Sequence, residues 1–254
     1  MKLHFITPIL FFVIGLVIGS FLNVCIYRIP RNESIVFPAS HCPNCGNNLA
    51  PRDLAPLFSY LVLKGRCRYC KSPIHWRYPL VELLTGFLFI ALYCSLGLNL
   101  LLLKYLLLAC FLVAISFIDL EHYIIPNKLV IALLGSGIVM GLLTREHSLV
   151  SVLLGMFVPF AALMALALIS NGGMGGGDIK LAGVTGLFLG WPQSIVALIL
   201  SCCIAGIASL IMLALKVKKR KDPIPFGPYY AAGIMISIFW GKPLLELYLA
   251  YSGF

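Results

Sequence analysis

The stretch GGGDIKLAGVTGLFLGW, residues 175–191, decides how often this chain crosses a membrane. Its apolar part runs from Ile179 to about Trp191. Roughly thirteen residues rise about 20 Å as an α-helix, whereas a hydrocarbon core of about 30 Å asks for some 20 residues. The segment is therefore short for a span, and either one end lies below the interface or the bilayer thins around it. The chain enters it through SNGGMGGGDIKL, residues 170–181, a glycine-rich approach that carries an acid. Irregular backbone at membrane depth is tolerated only where protein or trapped water satisfies it. This is a reasonable place for chemistry that uses water.

Outward from this segment, longer apolar stretches lie near residues 5–27, 79–97, 100–118, 124–143, 148–170, 193–215 and 225–252. Short polar connections separate them, at 97–99, 144–147 and 191–193. The chain has 254 residues, of which 61% are hydrophobic and 11% charged, and its mean hydropathy is +1.00. Soluble domains carry about a quarter charged residues, so this composition belongs to the membrane class. The N-terminus has a weak basic start, a long apolar run and no A-x-A-like cleavage site, and reads as a retained first span. The expected fold is an all-α polytopic membrane protein of about eight transmembrane helices. A small polar insert at 30–78 stands outside the bilayer, which divides the chain into a first span (1–29), the insert (30–78) and a seven-span remainder (79–254).

The net charge of +10 is concentrated in two places. Arg28, Arg31, Arg52, Lys64, Arg66, Arg68, Lys71 and Arg77 lie in or beside the insert, against only Glu33 and Asp53. KVKKRK, residues 216–221, forms the second cluster. Basic clusters flanking apolar spans are what the positive-inside rule predicts, which disfavours a nucleic-acid surface and suits contact with membrane lipid. With the insert in the cytoplasm, alternate crossings return the chain there at Asp119, at 172–180 and at 216–221. Both basic clusters share one face only if the short 179–191 segment also crosses.

The insert holds CPNCG, residues 42–46, and CRYC, residues 67–70. Two C-x-x-C pairs at this separation suit a closed tetrahedral zinc site made by Cys42, Cys45, Cys67 and Cys70. Four thiolates leave no open position, so the metal would be structural. A redox dithiol is the rival, but that chemistry needs one exposed pair and not two matched knuckles. Cys25, Cys94, Cys110, Cys202 and Cys203 fall in apolar spans and read as small buried hydrophobes.

Only nine Asp and Glu are present. Asp119 ends the third span in FIDLEHYIIPN, residues 117–127, and Asp178 opens the short span. The parity of crossings puts both at one membrane face. Singly, Asp178 could be a helix N-cap and Asp119 an interfacial partner of Lys128. Together, with glycines that leave room for a substrate backbone, they point to a carboxylate dyad. Glu82, about one turn inside the second span, is either a functional acid or a partner of Arg77.

These residues resemble the type IV prepilin leader peptidases, bacterial membrane aspartic peptidases. The likeness runs in order through GSFLNVCIYRIP (19–30), the four cysteines, WRYPLVELLTG (76–86), IDLEHYIIPNKL (118–129), GGGDIKL (175–181) and PFGPYYAAG (225–233). G-x-G-D is shared among intramembrane aspartic proteases; its combination with the cysteines is more specific. The resemblance implies that Asp119 and Asp178 are catalytic. It also implies that a basic leader is cut from a prepilin or pseudopilin after a glycine, at the cytoplasmic face of the inner membrane. Many members also N-methylate the new terminus with S-adenosylmethionine, and that cofactor rests on the resemblance alone. The alternatives from the residues are a small transporter with an intramembrane acid pair, or a membrane thiol oxidoreductase.

Overall fold

The structure is a computed structural model that describes residues 3–170, 173–219 and 222–252. Nine α-helices follow one another among these residues: α1 (Leu3–Arg28), α2 (Phe58–Val62), α3 (Arg77–Leu96), α4 (Leu100–His122), α5 (Asn127–Thr144), α6 (Leu149–Ile169), α7 (Gly176–Leu189), α8 (Gln193–Ala214) and α9 (Gly227–Ser252). A short 3-10 turn, Pro51–Asp53, and two isolated bridges, His41 with Asn48 and Arg66 with Pro73, lie in the insert. All-helical architecture is what an apolar solvent requires, because an α-helix satisfies its own backbone donors and acceptors.

Seven helices, all but α2 and α7, are long and apolar enough to cross a membrane. Their outer faces carry large exposed hydrophobic side chains: Ile9, Val13 and Val17 on α1, Phe157 and Leu168 on α6, Ile207 and Leu210 on α8. Surfaces of that kind are stable against lipid and not against water. The chain is a multi-pass membrane protein.

Two compact units make up the chain, Met1–Ala114 and Ile115–Phe254. In the first, α1 packs along α3. Gly15 and Gly19, spaced as G-x-x-x-G, let the backbones meet: a Cβ on either would lie 2.7 Å from the Cα of Gly86 or Glu82. Asn23 Nδ2 crosses to the Tyr78 carbonyl at 3.0 Å. The insert is fastened to the helices near its start and at its middle. Arg28, the last residue of α1, donates to the carbonyls of Ser34 (3.0 Å) and Ala39 (3.4 Å). Glu82, buried in α3, accepts the backbone N–H of Leu57 at 2.8 Å, next to α2.

In the second unit α7 is the inner helix. It packs on α5, α6 and α8, and Leu181, Ala182, Thr185, Phe188 and Leu189 are fully buried. A helix of 14 residues rises about 21 Å, too little to face lipid over a whole hydrocarbon core. Protein surrounds it instead. Close approach to α6 depends on glycine, since a Cβ on Gly186 would run into the backbone of Gly155 and Met156. The helix stops at Gly190, whose φ of +63° suits glycine. Its start differs from the sequence expectation. The helix begins at Gly176, ahead of the apolar run, so Asp178 sits inside the first turn and Gly175 holds the N-cap position. The N-cap role open to Asp178 from sequence is therefore not the one it occupies. Asn171 and Gly172 of the glycine-rich approach, and Arg220 and Lys221 of the second basic cluster, lie outside the described residues.

Candidate active site

The insert builds its cysteine cluster from two turns with the same plan. In the first, Gly46 N–H returns to the Cys42 carbonyl (2.8 Å) and Cys42 N–H to the Asn47 carbonyl (3.0 Å). In the second, Lys71 N–H returns to the Cys67 carbonyl (3.0 Å) and Cys67 N–H to the Ser72 carbonyl (2.8 Å). The residue after the second cysteine of each pair, Gly46 or Lys71, takes a positive φ (71° and 61°), which turns each knuckle back on itself.

The four sulfurs of Cys42, Cys45, Cys67 and Cys70 come within 4.8 Å of one another, and Cys42 Sγ lies 3.9 Å from Cys70 Sγ. Tetrahedral Zn–S bonds of about 2.3 Å put sulfurs about 3.8 Å apart, so the cluster could hold one metal ion with little adjustment. The Ser72 hydroxyl, 3.1 Å away, and its backbone amide push the Cys70 thiol down to about 6, toward the thiolate a metal needs. Asp53 braces the second knuckle. It takes Arg68 Nε at 2.6 Å, the Ala50 amide at 3.2 Å and the Tyr69 hydroxyl at 3.4 Å. Enclosure pushes its carboxyl up, but the Arg68 hydrogen bond, the Ala50 amide and the Arg68 charge outweigh that and hold it below the usual carboxylate value.

The two aspartates singled out by sequence both lie in the second unit. Asp119 occupies the last turn of α4 and is 5% exposed. Its Oδ2 accepts the backbone N–H of Gly227, the first residue of α9, at 2.8 Å. Helix α4 ends soon after it because Tyr123 adopts φ +55° and Pro126 follows. Asp178 projects from the first turn of α7, and its Oδ1 is buried without a hydrogen-bond partner. The loop that follows Asp119 meets the start of α7, where Ile125 lies against Gly177.

Glycine lines this site. A Cβ on Gly175 would lie 2.8 Å from Asp178 Oδ2, and one on Gly177 would lie 2.8 Å from Ile125 Cβ. The framework is pinned by long-range hydrogen bonds. Lys180 Nζ reaches Asn127 Oδ1 at 3.1 Å, which joins the starts of α7 and α5. The buried hydroxyls of Thr185 and Tyr230 pair at 2.9 Å, joining α7 to α9. Sequence reasoning gave no individual role to Gly227, Tyr123, Thr185 or Tyr230. The available signal was the Gly-Pro step in PFGP, a helix-start pattern, but nothing in it names Asp119 as the neighbour.

A buried carboxyl oxygen without a partner, with glycines directly ahead of it in sequence, suits an acid–base group that acts on a peptide and a water. Comparison with known proteins points the same way. Residues 13–96 match the Bacterial Peptidase A24 N-terminal domain, and residues 106–210 match the Type IV leader peptidase family. The chain is similar to the prepilin leader peptidase/N-methyltransferase of Aeromonas hydrophila, with 35% identity over 94% of this chain and 93% of the relative. The protein of that name from Pseudomonas aeruginosa is 34% identical, over 95% and 93%. The one from Bacillus subtilis is 33% identical, over 94% and 96%. No solved structure matches. Near-complete coverage of these relatives and two matching domains in order place this chain in the type IV leader peptidase family.

Proposed function

We propose that this protein is a membrane aspartic endopeptidase that removes the basic leader of prepilin-like precursors, with Asp119 and Asp178 as its catalytic pair. The observation that carries the reading is that two acids, 59 positions apart in sequence, stand at the end of α4 and the start of α7, where Gly177 lies against Ile125 and Lys180 reaches Asn127. Two neighbouring carboxyls do not both ionise easily, so the pair holds one proton. The ionised member takes a proton from water as the water attacks the scissile carbonyl. The protonated member donates to the carbonyl oxygen and then to the leaving amine. The titration belongs to the pair.

The names of the relatives support N-methylation of the new terminus with S-adenosylmethionine, and no residue of this chain is assigned to that step. The positive-inside pattern supports a cytoplasmic catalytic face in the bacterial inner membrane, with the short α7 as an eighth crossing. Zinc at Cys42, Cys45, Cys67 and Cys70 would brace residues 30–78 as a separate module between the first span (1–29) and the seven-span remainder (79–254). A thiol oxidoreductase is disfavoured because the four sulfurs converge on one cluster. A transporter is disfavoured because its acids tend to sit at the midplane, whereas these close two helix ends.

Incubation of the purified protein with a prepilin and labelled S-adenosylmethionine tests the reading. Mass spectrometry should find the leader released after a glycine and the label on the mature N-terminus. An uncut precursor would contradict peptidase function, and a cut but unlabelled product would confine the enzyme to cleavage.

A further inference from the structure

The connection between α8 and α9 is fastened to the turn that carries Asp119, at two separate points. Lys218 Nζ donates to the Tyr123 hydroxyl at 3.1 Å and sits 5.1 Å from its ring centroid. Tyr123 in turn closes the last turn of α4, its N–H bonding the Asp119 carbonyl at 2.9 Å. At the other end Gly227 N–H holds Asp119 Oδ2 in a buried hydrogen bond of 2.8 Å. The Cα of Gly227 presses on the same carboxyl: a Cβ there would lie 2.9 Å from Oδ2, 3.3 Å from Cγ and 3.2 Å from Cβ of Asp119.

We infer that Gly227 is a positioning residue of the active site: its backbone amide and bare Cα together set where the Asp119 carboxylate points. The inference rests on Asp119 being catalytic. A buried charge-assisted bond from a backbone amide fixes one carboxylate oxygen and leaves the other for the reaction. A rotation of the Asp119 side chain about χ1 or χ2 would break that bond, and no other donor to this carboxyl is seen among the described residues. Glycine is demanded for a reason distinct from packing between helices. At Gly186 an added methyl meets backbone, which cannot yield, so the fold suffers. At Gly227 the nearest atom is the end of the Asp119 side chain, which can yield by rotating away. The methyl group therefore acts on the carboxylate before it acts on the fold.

The test compares Gly227→Ala, Asp119→Ala, Asp119→Asn and the Gly227→Ala/Asp119→Ala double variant in detergent or nanodiscs, reading prepilin cleavage kinetics and thermal melting. Gly227→Ala should lower kcat by about 10- to 100-fold, the scale of a carboxylate displaced by up to an ångström, with KM within about twofold. In the Asp119→Ala background the same substitution should lower the melting temperature by less than in the parent, because Oδ2 and Cγ are gone and only the Cβ contact at 3.2 Å remains. A purely structural Gly227 would lower the melting temperature equally in both backgrounds and leave kcat of the folded fraction intact, and that result overturns the inference. So does a Gly227→Ala enzyme with normal kcat while Asp119→Asn is inactive. An active Asp119→Asn enzyme would instead strike at the proposed function. If Gly227→Ala alone does not accumulate, the double variant must accumulate like Asp119→Ala; failure there also overturns the inference.

Discussion

Replacing Gly186 by alanine should damage stability and cleavage together, and the size of both effects follows from one contact. The added Cβ would stand 2.5 Å from the Met156 amide nitrogen and closer still to the carbonyl of Gly155. Non-bonded heavy atoms prefer about 3.5–4.0 Å, so α7 and α6 must part by about 1 Å. Every atom in the way is backbone, and no rotamer change relieves it. Overpacking of this kind costs about 1–3 kcal/mol. Because α7 is a single 14-residue helix, the shift reaches Asp178 two turns away. A misplacement of about 1 Å at a reacting group costs on the order of 100-fold in rate. Thermal melting in detergent and initial rates of prepilin cleavage measure the two effects on one preparation. Gly206→Ala on α8, where nothing lies within 4 Å, is the control and should match the parent protein in both assays. A Gly186→Ala protein with parental melting and parental rate would refute the account of how α7 is seated.

Purified protein should carry about one zinc per chain by elemental analysis. Cys67→Ser should lose it and loosen the insert while the membrane helices stay folded; active protein without zinc would reject the site. Asp53→Asn should raise protease sensitivity of the insert at neutral pH. Since the folded-state carboxyl of Asp53 is held below its ordinary value, its contribution is complete above the unfolded value and lost as pH falls through the folded one. The difference between parent and variant should therefore shrink on acidification, and a difference that grows would contradict the assignment. Tyr230→Phe removes one buried hydrogen bond to Thr185 and should cost about 1 kcal/mol, a melting shift of a few degrees. An unchanged melting temperature would show that the pair contributes nothing.

Much of the fold is legible because lipid leaves the chain few choices. An uninterrupted apolar run of span length must be a helix, so α1, α3 to α6, α8 and α9 follow from hydropathy to within a few residues. The cysteine cluster was legible because each C-x-x-C pair closes locally, within hydrogen bonds that span only four or five residues. Hydropathy could not show that α7 starts at Gly176, since its first turn is glycine and aspartate, and protein rather than composition shelters it. Nor could it show the contact of Gly227 with Asp119, 108 positions apart, or the Thr185–Tyr230 bond. Both arise from helix packing, and helix packing has no local signature. The aspartates themselves stood out because acids are scarce here and costly at the hydrocarbon edge.

The central claim is that Asp119 and Asp178 perform the hydrolysis, and one measurement meets it directly: leader cleavage by Asp119→Asn and Asp178→Asn, each shown to be folded and inserted. Asparagine keeps the size of the side chain and can still accept the Gly227 amide. It can neither take a proton from water nor cycle an acid proton. The account predicts loss of cleavage by several orders of magnitude in each variant, the scale expected when an acid–base group is removed. Substantial cleavage at the normal bond by either variant would contradict it.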